Sequence, residues 1–187
     1  MAERAHIRVH EAKADQYATR EDFRRIFSED TNGLYRLSLL LTRDSVKAEQ
    51  CFVGGLDDCV SGNSVFREWA RSWAKRAIIQ NAIRELKPRA GQSNSTLPET
   101  GVPEIEGLSI GPGGYSEIHA VWRLEDFERF VFVMSALEHY SEHDCALLLG
   151  CSVSKIRDAR ARALKEMTDS SKTADATIAH SAASDAW

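Results

Sequence analysis

Apolar residues recur along most of this chain at helical spacing. From Arg20 to Thr42, Phe23, Ile26 and Phe27 are followed by Leu34, Leu37 and Leu41, a period near that of an α-helix. Asn32-Gly33 predicts a break that divides this stretch into two helices. Asp44 or Ser45 then caps a helix to about Val60, with Cys51, Phe52 and Leu56 inward. Gly54-Gly55 inside it costs about 1 kcal/mol per glycine relative to alanine, which predicts close helix approach or local weakness. Ser64 is expected to cap a longer helix to about Leu86. Its apolar stripe of Phe66, Trp69, Ala70, Trp73, Ala77, Ile83 and Leu86 places both tryptophans in a core. Arg67, Arg71 and Lys75 step by four along another face as a solvent-facing cationic ridge.

The periodicity stops at Pro88. The stretch to about Tyr115 holds all four prolines and six of the eleven glycines, too little apolar surface to fold alone. Helicity resumes near Glu117 and is expected to run unbroken to about Glu138, with Leu124, Phe127, Val131, Met134 and Leu137 on one face. Residues 1–19 have no sustained period, and the Ser/Ala/Thr/Asp-rich segment 168–187 reads as a disordered tail. No strand-like alternation and no internal repeat is evident. The expected fold class is therefore all-α. Two small helical domains, residues 20–87 and 117–167, are joined by a flexible linker, residues 88–116.

The segment YSEHDCALLLGCSVSKIRDARARAL, residues 140–164, has the pattern of a helix-turn-helix. Ser141 with Asp144 forms a short capping box, and Ala146, Leu148 and Leu149 pack the first helix. Gly150 takes the turn position that needs positive φ, and Cys151 fills an apolar turn position. Ser152 caps the second helix, where Val153, Ile156, Ala163 and Leu164 face inward. Ser154, Lys155, Arg157, Asp158 and Ala161 face outward, as in a helix that enters a major groove.

Charge adds to this picture. The chain carries a net −4, but residues 65–89 hold seven lysines and arginines against Glu68 and Glu85. Residues 153–167 hold five against Asp158 and Glu166. Two basic helices in an acidic body fit either a footprint for a polyanion or two solvated helix faces. The four cysteines form no CxxC pair and lie in helical contexts, which suits buried thiols rather than a disulfide framework. A zinc site from His139, His143, Cys145 and Cys151 is disfavoured, because a helix break at Tyr140-Ser141 separates the histidines and Cys145 points inward. No phosphate-binding loop, dinucleotide fingerprint or nucleophile signature occurs, so the expectation is a non-enzymatic protein without metal or cofactor. The charged start lacks the apolar core of a signal peptide, and no stretch is long enough to span a bilayer, so a cytoplasmic protein is expected.

The segment LEDFERFVFVMSALEHYSEHDCALLLGCSVSKIRDARARAL, residues 124–164, resembles region 4 of extracytoplasmic-function RNA polymerase sigma factors of the sigma-70 family. Tyr140, Ser141, Ala146, Leu149, Gly150, Ser152, Ile156, Arg162, Ala163 and Leu164 match in place. Asp144 stands where the family has Glu, and Glu125 where it has proline. LYRLSLLLTRDSVKAEQ and VFREWARSWAKRAIIQNAIREL are similar to region 2 of the same family. Together the resemblance covers roughly residues 20–87 and 118–167, in the family's order.

The resemblance implies promoter DNA and core RNA polymerase as partners. The region 4-like part would bind the minus-thirty-five element through Ser154, Lys155, Arg157, Asp158, Arg160 and Arg162, and contact the β-flap. The region 2-like part would act on the minus-ten element through Arg67, Arg71, Lys75, Arg76 and Arg84, with Trp69 and Trp73 as aromatic groups for unstacked bases if they are not in the core. Its Glu49, Gln50, Val53 and Asp57 would dock on the β′ clamp helices. Gln50, Phe52, Val53 and Gly54 depart there from the family's acidic, apolar, Gln and Glu positions. Two alternative readings follow: a DNA-binding regulator that no longer recruits polymerase, and an interaction module for an anti-sigma protein.

Overall fold

A computed structural model describes residues 16–62, 64–91 and 114–184, with backbone alone for 114–117 and 170–184. Every regular element among them is helical, and Tyr17 and Phe66 form an isolated antiparallel bridge. The all-α class is as the periodicity predicts. The chain divides into two compact units, Met1–Lys87 and Pro88–Trp187. Most of the expected linker (residues 92–113), residues 1–15 of the expected extension and residues 185–187 of the tail lie outside the described residues. No helix among the described residues is long and apolar enough to cross a membrane.

The first unit contains α1 (Arg20–Glu29), α2 (Thr31–Thr42), α3 (Ser45–Ser61) and α4 (Ala70–Leu86). Thr19 caps α1 through a reciprocal box: the Asp22 N–H donates to Thr19 Oγ1, and the Thr19 N–H donates to Asp22 Oδ2 at 2.9 Å. The break after α1 falls at Asp30, and Asn32-Gly33 lie within the first turn of α2 instead. The Thr31 hydroxyl explains the earlier break, since it donates to the Phe27 carbonyl at 2.7 Å and satisfies the end of α1. Asp44 caps α3 by accepting from the Val46 and Lys47 amides at 2.9 and 3.0 Å. Phe23, Ile26, Phe27, Leu34, Leu37 and Leu41 are buried as predicted, each contributing about 1.5–3 kcal/mol.

The helix α4 departs from expectation in two ways. Ser64 does not cap it; a single 3₁₀ turn, Arg67–Trp69, precedes its start at Ala70. Its buried face is Ala70, Ala74, Ala77, Ile78, Ile79 and Ala82, so Ala70 and Ala77 of the predicted stripe are inside, but the face turns away from Trp69 and Trp73 toward Ala74, Ile78 and Ala82. A Cβ on Gly55 of α3 would lie 2.8 Å from Ile78 Cγ1 and 3.3 Å from the Ile78 nitrogen, so α3 and α4 pass closely at Ile78.

The second unit contains α5 (Gly114–Arg123), α6 (Asp126–Phe132), a π-helical turn (Val133–Leu137), α7 (Glu142–Leu149) and α8 (Val153–Ser184). The single helix expected over 117–138 is broken at Leu124-Glu125, and Leu137 is exposed. Fully buried Arg129 supports that break by donating to the Leu124 carbonyl at 3.2 Å and pairing with Asp126 at 2.8 Å. The helix α8 runs on through most of the segment expected to be a disordered tail. Ala174, Ala176, Ala179, Ala182 and Ala183, the strongest helix formers, supply the local preference.

Candidate nucleic-acid interface

In the second unit α7, a left-handed Gly150 and α8 follow one another as a short helix, a turn and a long helix. Ser141 accepts from the Asp144 amide at 3.1 Å, while its hydroxyl donates to the Asp144 carboxylate. Gly150 ends α7 at φ 63°, and its amide donates to the Ala146 carbonyl. Ser152 accepts from the Lys155 amide at 3.4 Å, a long bond at the start of α8. Cys145, Ala146, Ile156, Ala159 and Ala163 form the buried seam. Leu148 and Leu149 are half-buried, and Leu164, expected inward, is exposed. The π-turn and the break at residues 138–141 separate His139 from His143, as the sequence predicts.

Ser154, Lys155, Arg157, Asp158 and Arg162 are exposed and Arg160 is half-buried. Their charges are not equally available. Arg162 grips Glu128 of α6 through two nitrogens, at 3.0 and 2.7 Å, and Glu128 itself is buried. That bidentate pair ties α8 to α6 and makes Arg162 a brace. Arg157 donates to Glu142 at 2.7 Å, and Arg160 approaches the same carboxylate at 3.9 Å. Hydrogen bonding to Glu142 raises the Arg157 pKa further and keeps it charged. Lys155 is exposed on the first turn of α8. No sequence signal pointed to Glu128 or Glu142, because their partners lie 34 and 15 positions away.

No protein-family model and no curated protein matches this chain.

In the first unit the predicted cationic residues lie along α4 and the 3₁₀ turn before it, a segment that also carries Trp69 and Trp73, with Phe66 directly before it. Trp69 and Trp73 are 56% and 39% exposed, which corrects their expected place in the core. Phe66 stacks on Tyr17 with centroids 4.9 Å apart and meets Trp69 edge-on at 5.1 Å. The amide of Arg67 donates to the Gln16 carbonyl and that of Ala18 to the Val65 carbonyl, which pins this corner. Arg67 pairs with Asp22 at 3.3 Å, Arg71 with Glu29 at 2.7 Å and Arg84 with Asp58. Lys75 and Arg76 are half-buried one turn further along α4. Exposed indoles can stack on unpaired bases, and guanidiniums elsewhere on the same helix can hold phosphates.

The residues nominated for polymerase docking share one solvent face of α3. Glu49, Gln50, Val53 and Asp57 are all exposed, with Val46 beside them. Gly54 and Gly55 turn the other way, toward Asn81 and Ile78 of α4.

The thiols offer little chemistry. Burial pushes Cys51 and Cys145 up to about 11 and Cys59 up to about 12, so all three stay protonated near neutral pH.

Proposed function

We propose that this chain is a cytoplasmic transcription initiation factor of the sigma-70, extracytoplasmic-function type. On this reading it binds promoter DNA and recruits core RNA polymerase without enzymatic activity of its own. The observation that carries the reading is the exposure of Trp69 and Trp73 at the start of α4, in a helical unit that precedes a short helix, an αL glycine and a basic helix. A core helix has no use for two solvated indoles, whereas a surface that captures unstacked bases does. The helix α8, with Ser154, Lys155 and Arg157 on its first exposed turns, supplies the duplex-reading part. Glu49, Gln50, Val53 and Asp57 on α3 supply the polymerase-docking part.

Reconstituted transcription with bacterial core polymerase on a promoter library tests the proposal. Start-site selection that depends on this protein is expected, and Trp69→Ala with Trp73→Ala should reduce promoter opening more than duplex binding. Absence of both core binding and start-site selection overturns it.

One observation favours a second reading, a DNA-binding regulator that does not recruit polymerase. Gly54 stands where the resemblance requires a polar docking residue, and it faces Asn81 within the first unit. DNA binding by the pure protein, with no capture of core polymerase, would select this reading over the first.

A further inference from the structure

Glu142 stands at the first position of α7, directly after the Ser141 cap. Two arginines on successive turns of α8 converge on its carboxylate. Arg157 Nε reaches Glu142 Oε2 at 2.7 Å, and the Arg160 guanidinium approaches Glu142 Oε1 at 3.9 Å. One negative charge thus faces two positive ones. The sharing leaves Arg160 incompletely satisfied, since its buried Nε has no hydrogen-bond partner. Asp144, one helical step on, adds a second acidic group to the same first turn of α7. The arginines that α8 would offer to phosphates are therefore held by a carboxylate that a phosphate must displace.

We propose that Glu142 is a specificity-determining counter-charge that holds Arg157 and Arg160 against α7 and limits sequence-independent capture of duplex DNA. This rests on the proposed DNA-binding function and adds a regulator of that same surface. The physics is ion exchange. In free protein the arginines are partly neutralised by Glu142, so their transfer to phosphates gains less than transfer from water. A surface pair of this kind is weak enough for DNA to break. Phosphate contact is the sequence-independent part of affinity, so a carboxylate that offsets it leaves more of the total to base contacts.

The test measures binding of the full chain to a short duplex of random sequence between about 50 and 200 mM salt. It compares wild type, Glu142→Gln, and Glu142→Gln in a background carrying Arg157→Gln and Arg160→Gln. Glu142→Gln is expected to bind about three- to fivefold more tightly at the low-salt end, with a log–log salt slope steeper by about 0.9, one additional phosphate. The gain should vanish when both arginines are gone, which a purely structural role of Glu142 would not produce. Wild-type binding that Glu142→Gln leaves unchanged or weakens overturns the counter-charge and leaves DNA binding standing. A gain that survives loss of both arginines also overturns it, since the carboxylate would then act only as bulk charge. If neither wild type nor Glu142→Gln shows salt-dependent affinity, the DNA-binding function itself fails, and the counter-charge with it.

Discussion

Two kinds of ionisable residue in this molecule have opposite electrostatic surroundings, and each has a measurable consequence. Hydrogen bonds from Thr19, then the Arg67 and Arg25 charges, hold the Asp22 carboxyl below its ordinary value of 3.8. A group depressed in the folded state contributes stability above its unfolded pKa and loses it as pH falls through the folded one. The first unit should therefore lose stability as pH drops below about 4, and Asp22→Asn should flatten that part of the curve. The same substitution should cost about 1 kcal/mol at neutral pH through loss of the capping box, read from chemical denaturation. The thiols lie at the other extreme. Cys51, Cys59 and Cys145 are buried with raised pKa, while Cys151 is half-buried in the helix-turn-helix turn. A thiol-specific reagent at neutral pH should react with Cys151 first and reach the other three only on unfolding. Fast labelling of more than one thiol in native protein would contradict this burial.

At the scale of elements, the α3–α4 crossing controls the first unit, and its two glycines are not equivalent. A Cβ on Gly55 meets Ile78 Cγ1 at 2.8 Å and the Ile78 backbone at 3.3 Å, and backbone cannot swing aside. A Cβ on Gly54 meets only the end of the Asn81 side chain. Alanine is favoured in a helix by about 1 kcal/mol over glycine, while overpacking costs about 1–3 kcal/mol. Gly55→Ala should thus destabilise by about 1–2 kcal/mol and Gly54→Ala should be near neutral, an order that thermal unfolding can check. The crossing also marks where sequence reasoning reached its limit. Helix existence, the Asp44 cap, the Ser141–Asp144 turn and the αL glycine at 150 follow from local chemistry, so they were legible. The full buried face of α4 was not. Tryptophan outweighs alanine in any apolar count, so Trp69 and Trp73 were set inside with Ala70 and Ala77, whereas the buried face includes Ala74, Ile78 and Ala82 instead. The aromatic half of the candidate site was only partly legible: the resemblance offered Trp69 and Trp73 to unstacked bases, while their place on the apolar stripe assigned them to the core. The clamping of Arg162 by Glu128 and of Arg157 by Glu142 was invisible, because both pairs are tertiary.

Across the whole molecule, charge is divided unevenly between the two units. Residues 1–87 hold 15 lysines and arginines against 13 acidic residues, whereas residues 88–187 hold nine against 15. The first unit is thus net positive, while the helix-turn-helix sits in a net-negative one. Long-range attraction to a polyanion follows the net field, and it is screened over about 8–10 Å at physiological salt. If the chain binds DNA as proposed, basic residues on α8 would act at contact distance, while from farther away a phosphate backbone would meet the acidic remainder of that unit. Non-specific encounter should then belong to the first unit, with the second contributing at contact distance. Separate fragments spanning 1–87 and 88–187, each confirmed helical by circular dichroism, make this measurable. On random-sequence DNA at low salt the first should bind more tightly, and the second should gain more when an acidic residue such as Glu142 is neutralised. Tighter binding by the 88–187 fragment would mean that the local arginines of α8 dominate over the net field, placing DNA capture in the helix-turn-helix alone.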